Sequence, residues 1–119
     1  MKRYLFQEMI EAQNVFDKAH GWFWGDSPEN QSEYIGYAIV ALVGELGELA
    51  NEFKKWLREG GKGKLPQSLI AHFSEEMADI FIYLIKMASC LGLDLESLFY
   101  DKLKKNTERF QQFLKRRNE

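Results

Sequence analysis

Apolar residues recur at steps of three and four along most of the chain. Leu5, Met9, Ala12, Val15, Phe16 and Ala19 keep that spacing at the start. It is the period of an amphipathic helix, and it predicts a first helix from about Arg3 to His20, with Gly21 as its stop. GWFWGDSPENQ follows, a stretch of turn formers carrying Trp22 and Trp24. Ser27 before Pro28 suits the start of a second helix, with Ser32 as a later start. That helix runs to about Glu59, where GGKGKLP ends it. A third helix is predicted over Gln67 to Leu91 and closed by Gly92. A fourth begins at Leu95 behind Asp94 as its cap and continues to near the end. FIYLI is β-prone alone, but EEMAD before it and KMASCLG after it carry the helical period through. No internal repeat or low-complexity segment interrupts the pattern. Short connections favour antiparallel neighbours, so the expected fold is an all-α antiparallel bundle of about four helices, one domain over 1–119.

The polar positions are less ordinary than the apolar ones. On a wheel at roughly 100° per residue, Ile39, Leu42, Val43, Leu46, Ala50, Phe53 and Leu57 form one broad face of the second helix. Glu45, Glu48 and Glu52 form a separate stripe within about 60°, beside that face and not opposite it. On the third helix His72, Glu75, Glu76, Asp79, Tyr83 and Lys86 share an arc of about 100°. Most of the remaining circumference is apolar, as in a helix buried on several sides. One chain of this length offers too little material to cover it, which predicts an oligomer built on the third helix.

Carboxylates repeated at such spacing repel one another. Beside a core they cost more unless a cation compensates them. Hard divalent ions take oxygen ligands, so two facing carboxylate stripes suit Mg²⁺, with Mn²⁺ as the alternative. A solvated acidic face is the plainer explanation of either stripe alone. On the fourth helix Lys102, Asn106 and Arg109 fall within about 60°, with Lys105 nearby. Two cations and an amide on one face suit a phosphate chain; alone, they also read as a basic helix end answering its own dipole.

Composition narrows the setting. The 119 residues are 45% apolar and 14% aromatic, as in a globular chain and unlike a disordered one. Sixteen basic and eighteen acidic residues give a formal charge of −2, which argues against nucleic acid as a partner. The single Cys90 excludes an intramolecular disulfide, and no Cys/His zinc pattern is present. The N-terminus lacks the apolar stretch of a secretory signal, and no apolar run reaches the ~20 residues of a membrane span. The expected location is cytoplasmic.

GELGEL, EEMADIFIYL and KLKKNTERF together resemble the MazG-like all-α nucleoside triphosphate pyrophosphohydrolases, a superfamily that includes dimeric dUTPases, dCTP pyrophosphatases and phosphoribosyl-ATP pyrophosphohydrolase. The paired motif reads Glu45-x-x-Glu48 and Glu76-x-x-Asp79, and the later one Lys102-x-x-x-Asn106-x-x-Arg109. The similarity covers about Ala41 to Phe110, and ALVGELGELA resembles the dCTP pyrophosphatase branch. The resemblance implies a bundle that forms homodimers or homotetramers. It implies hydrolysis of a nucleoside triphosphate to a monophosphate and pyrophosphate, for pool sanitation or nucleotide supply. Glu45, Glu48, Glu76 and Asp79 would hold Mg²⁺; Lys102, Asn106 and Arg109 would bind the triphosphate, and Tyr83 the sugar. Glu52 and Glu75 are candidate orienting or basic groups. Trp56, Trp22 and Trp24 are candidates to stack on a base, although related enzymes place a tryptophan slightly earlier than Trp56. His72 reads as a polar neighbour of the acidic face. A phosphoribosyl-ATP pyrophosphohydrolase-like enzyme is the alternative within the superfamily, and two rivals stand outside it. A ferritin-like di-iron protein needs Glu-x-x-His on two helices, and the nearest approach is Asp17-x-x-His20 alone. A non-catalytic interaction bundle would use its tryptophans as a partner surface.

Overall fold

The computed structural model describes residues 5–117 except Trp24 and Asp26, so the sequence's suggestions for Arg3 and Trp24 lie outside the described residues. Four α-helices make up the described chain, and it contains no strand: α1 Phe6–Ala19, α2 Gln31–Arg58, α3 Gln67–Leu91 and α4 Leu95–Arg117. A short 3₁₀ turn, Pro28–Asn30, precedes α2. The two anticipated starts of the second helix are thereby divided between them. Proline at the first position opens the 3₁₀ turn after Ser27, and the α-helix proper begins three residues on.

The other boundaries follow local chemistry. The α1 start is capped by Glu8, whose Oε2 accepts the Leu5 backbone N–H at 3.2 Å. At the far end of α3, Gly92 takes the left-handed conformation at φ 65°, which costs a side-chain-bearing residue about 1–2 kcal/mol. Its position lets the Leu93 N–H reach the Ala88 carbonyl at 2.9 Å. Asp94 then starts α4: its Oδ1 accepts the Ser97 backbone N–H at 3.2 Å and its Oδ2 the Ser97 hydroxyl at 2.9 Å. Those bonds hold the Asp94 carboxyl below its usual range.

α2 and α3 form an antiparallel pair, and three levels of contact show its direction. Tyr37 shares a cavity with Tyr83, Glu45 meets Glu76 and Asp79, and Phe53 lies 6.3 Å from Phe73 between ring centroids. α1 crosses α3, with Phe6 edge-on to Phe81 at 6.0 Å and Asp17 paired with Lys86 at 3.3 Å. Among the described residues the buried apolar side chains are Tyr34, Ala38, Leu69, Ile85 and Ala88.

Much of the expected core is therefore not buried within one chain. Leu46, Phe53 and Leu57 on α2 and Met77 on α3 are exposed. α4 buries none of its residues, although Leu98, Phe99, Leu103, Phe110 and Phe113 line it. It packs at most marginally on α2 and α3. The radius of gyration is 18.6 Å, against about 13–14 Å for a compact chain of this length. Gly44 and Gly47 on α2 face open space, so no neighbour among the described residues makes use of their small size.

Candidate functional site

Glu45 lies on α2, and Glu76 and Asp79 lie one turn apart on α3. Each offers a carboxylate oxygen, and the three oxygens lie within 4.8 Å of one another. Antiparallel packing of α2 and α3 makes this possible, because it sets the acidic stripe of one helix against that of the other. The consequence is electrostatic crowding. The Glu76 carboxyl is pushed up to about 7, chiefly by the hydrogen bond it shares with Glu45, then by burial and by the charges of Glu45, Glu48 and Asp79. Two carboxyl groups at this distance resist ionising together and share a proton. Glu76 Oε2 is buried and receives no hydrogen bond from a fixed donor among the described residues. An all-oxygen set with an unanswered buried oxygen fits a hard divalent cation.

The other residues singled out from the motifs fall in different places. Glu48 is exposed and outside the close set, but its charge reaches Glu76. Glu52 and His72 border a separate recess of about 290 Å³ with Trp56 and Lys55. Trp56 packs against Phe53 at 5.7 Å. Lys102, Asn106 and Arg109 are exposed on α4, and the chain by itself does not gather them with the carboxylates. No histidine joins the carboxylate group among the described residues. His20 is engaged elsewhere, with Nδ1 at 2.7 Å from the Phe16 carbonyl, and Asp17 pairs with Lys86. The Asp17-x-x-His20 spacing therefore does not form a ligand pair.

Beside the carboxylates is an aromatic cavity of about 270 Å³, lined by Trp22, Tyr34, Tyr37, Ala38, Tyr83 and Lys86. Tyr83 joins the two regions. It stands one turn after Asp79, and its phenol is raised by burial and then by Tyr37, Glu45 and Asp79. Tyr34 is pushed up to about 12 by burial, with Asp17 and Cys90 adding to the effect. Trp22, on the loop after α1, is held by stacking on His20 at 4.8 Å and by its backbone N–H, which donates to the Asp17 carbonyl at 2.7 Å. Tyr37 escaped the sequence reading, and Lys86 was placed on the polar arc of α3 without a role. The signal was present: Lys86 continues the Asp79, Tyr83 ladder by one more turn, and Tyr37 lies two turns before Glu45 on α2.

Similarity to other proteins sharpens the picture. The mouse protein named dCTP pyrophosphatase 1 (Mus musculus) is 37% identical over 100 residues, covering 83% of this chain. The human protein of the same name (Homo sapiens) is 37% identical over 103 residues. The chain is a relative of the dCTP pyrophosphatases. These relatives carry the name of the branch that ALVGELGELA resembles. The chain spans 59% of the length of the mouse and human dCTP pyrophosphatases. The Gene 37 protein of Mycobacterium phage L5 is 33% identical over 73 residues, 61% of this chain. No protein-family profile matches the chain.

Proposed function

We propose that the chain is a Mg²⁺-dependent pyrophosphohydrolase that converts a nucleoside or deoxynucleoside triphosphate to the monophosphate and pyrophosphate. The observation that carries this reading is the meeting of Glu45, Glu76 and Asp79 from two antiparallel helices at the rim of an aromatic cavity. The name of the mammalian relatives points the same way. Glu45, Glu76 and Asp79 hold the ion, and Glu48, one turn from Glu45, is the fourth carboxylate of the set. A bound Mg²⁺ neutralises phosphate charge and acidifies a water molecule; Mn²⁺ would fit the same oxygens. The aromatic walls receive the base, with Trp22 exposed enough to stack on it.

Lys102, Asn106 and Arg109 bind the triphosphate. Two of them are cationic and suited to charge-assisted bonds with phosphate oxygens. The exposed apolar stripe of α4 supports a homodimer or homotetramer in which a second copy covers it, and that second copy can bring α4 to the carboxylates. The single Cys90, whose thiol donates to the Gly25 carbonyl at 3.2 Å, suits the reducing cytoplasm. Removal of unwanted nucleotides from the pool is the role we assign.

The deciding experiment is incubation with each common NTP and dNTP, and with modified bases, in Mg²⁺, with pyrophosphate measured. Release from at least one nucleotide, lost on chelation, is expected. Silence across the whole panel would refute the reading.

A further inference from the structure

A charge pair sits at the back of the aromatic cavity, and the proposed reaction does not require it. Asp17 on α1 is wholly buried, at 0% exposure. Its Oδ1 accepts a hydrogen bond from Gln13 Nε2 at 3.0 Å and pairs with Lys86 Nζ at 3.3 Å. Its Oδ2 has no partner among the described residues. Burying such a pair seldom stabilises a fold relative to apolar residues of similar size, so stability is a weak reason for its presence. The lysine end is the informative one. Its side chain is 16% exposed, and it lines the cavity with Trp22, Tyr37 and Tyr83. Nζ lies 5.7 Å from the ring centres of both Trp22 and Tyr83.

An ammonium group has three donors and no acceptor. Asp17 engages one, and the cavity is where the others can be used. The walls are aromatic, so a flat ring fits between them, and the fixed ammonium requires an acceptor on the edge of that ring. We propose that Lys86, held in place by Asp17, is a specificity-determining residue that donates to a carbonyl oxygen of the nucleobase, so that the site takes oxo-bearing bases in preference to adenine. Adenine is the common base that carries no carbonyl. Asp17 acts through Lys86 as a positioning residue. This inference rests on the pyrophosphohydrolase reading above.

The test compares kcat/KM for dCTP, dTTP, dITP and dATP. The pair dITP and dATP is the sharpest comparison, because the two bases differ only along one edge: a 6-oxo group and N1–H against a 6-amino group and an unprotonated N1. Lys86→Met alone leaves Asp17 buried without its partner and endangers folding, so the informative variant is Asp17→Asn combined with Lys86→Met, checked by thermal melting. The wild type should favour dITP over dATP by about tenfold or more, the size expected for a bond to a charged donor. The double variant should bring the dITP to dATP ratio close to one, with the larger fall in kcat/KM on the oxo nucleotides. Lys86→Arg, which retains a charged donor, should keep the preference. Equal wild-type rates on dITP and dATP, or an unchanged ratio in the folded double variant, would overturn the role of Lys86 while leaving the reaction standing. No turnover of any nucleotide by the wild type would instead remove the reaction itself, and this proposal with it.

Discussion

At the scale of single residues, the shared proton of Glu76 has a measurable consequence. Its folded-state value of about 7 lies above the ordinary 4.5, so the metal-free fold binds that proton more tightly than the unfolded chain does. The resulting stabilisation is complete below about 4.5 and is lost as pH rises through about 7. The metal-free protein should therefore melt at a lower temperature at pH 8 than at pH 5.5. Mg²⁺ should restore stability at pH 8, and calorimetry in buffers of different ionisation enthalpy should show proton release on Mg²⁺ binding at pH 6 that vanishes at pH 8.5. A melting temperature indifferent to both pH and Mg²⁺ would remove the ion from this site. Glu76→Gln should flatten the pH dependence. Glu48→Gln and Asp79→Asn should each abolish pyrophosphate release while leaving circular dichroism unchanged; retained turnover in either would reassign that residue. Glu76 and Asp79 were legible as neighbours because a 3.6-residue period puts them on one face, and Glu45 joins them because a short connection makes α2 and α3 antiparallel partners. The Asp17–Lys86 pair was not legible, since it joins residues far apart in sequence across a crossing angle that no periodicity encodes.

Among the elements, local punctuation was the reliable guide. Gly92 and Asp94 stop α3 and start α4 through backbone conformation and a two-oxygen cap, effects confined to neighbouring residues, and α3 runs from Gln67 to Leu91 as the pattern predicts. The tryptophan loop was harder, because its shape depends on α1 and α2 together. Gly25 illustrates this. It is buried, and a Cβ there would collide with the Tyr34 ring. Gly25→Ala should push that ring into the cavity and destabilise the fold by about 1–3 kcal/mol, as read from urea denaturation. A variant as stable as the wild type would show that Tyr34 has room to move. Trp56, a candidate to stack on a base, shares a recess with Glu52 and His72 near the C-terminal end of α2.

For the whole molecule, the all-α class was evident from periodicity alone, while the position of α4 was not. An amphipathic pattern states that a helix has an apolar face, but not whether that face meets its own chain or another. The fourth helix keeps its stripe exposed, and the molecule extends over 50 × 44 × 35 Å. If a second copy covers it, light scattering should give at least twice the 14.0 kDa of one chain. Phe110→Glu together with Phe113→Glu should then shift the protein towards monomer. A native mass of one chain would sink the expectation.

The detached α4 also bears on how catalytic output scales with the amount of protein. Lys102, Asn106 and Arg109 travel with that helix, so under the proposed function a solitary chain would carry the two halves of a triphosphate site without joining them. Diluting the protein should lower the rate per molecule as well as the total rate, with output approaching the square of protein concentration once copies separate. Mixing a variant lacking the α4 cations with one lacking the α3 carboxylates should recover part of the lost rate, because one mixed pair can assemble an intact site from two defective chains.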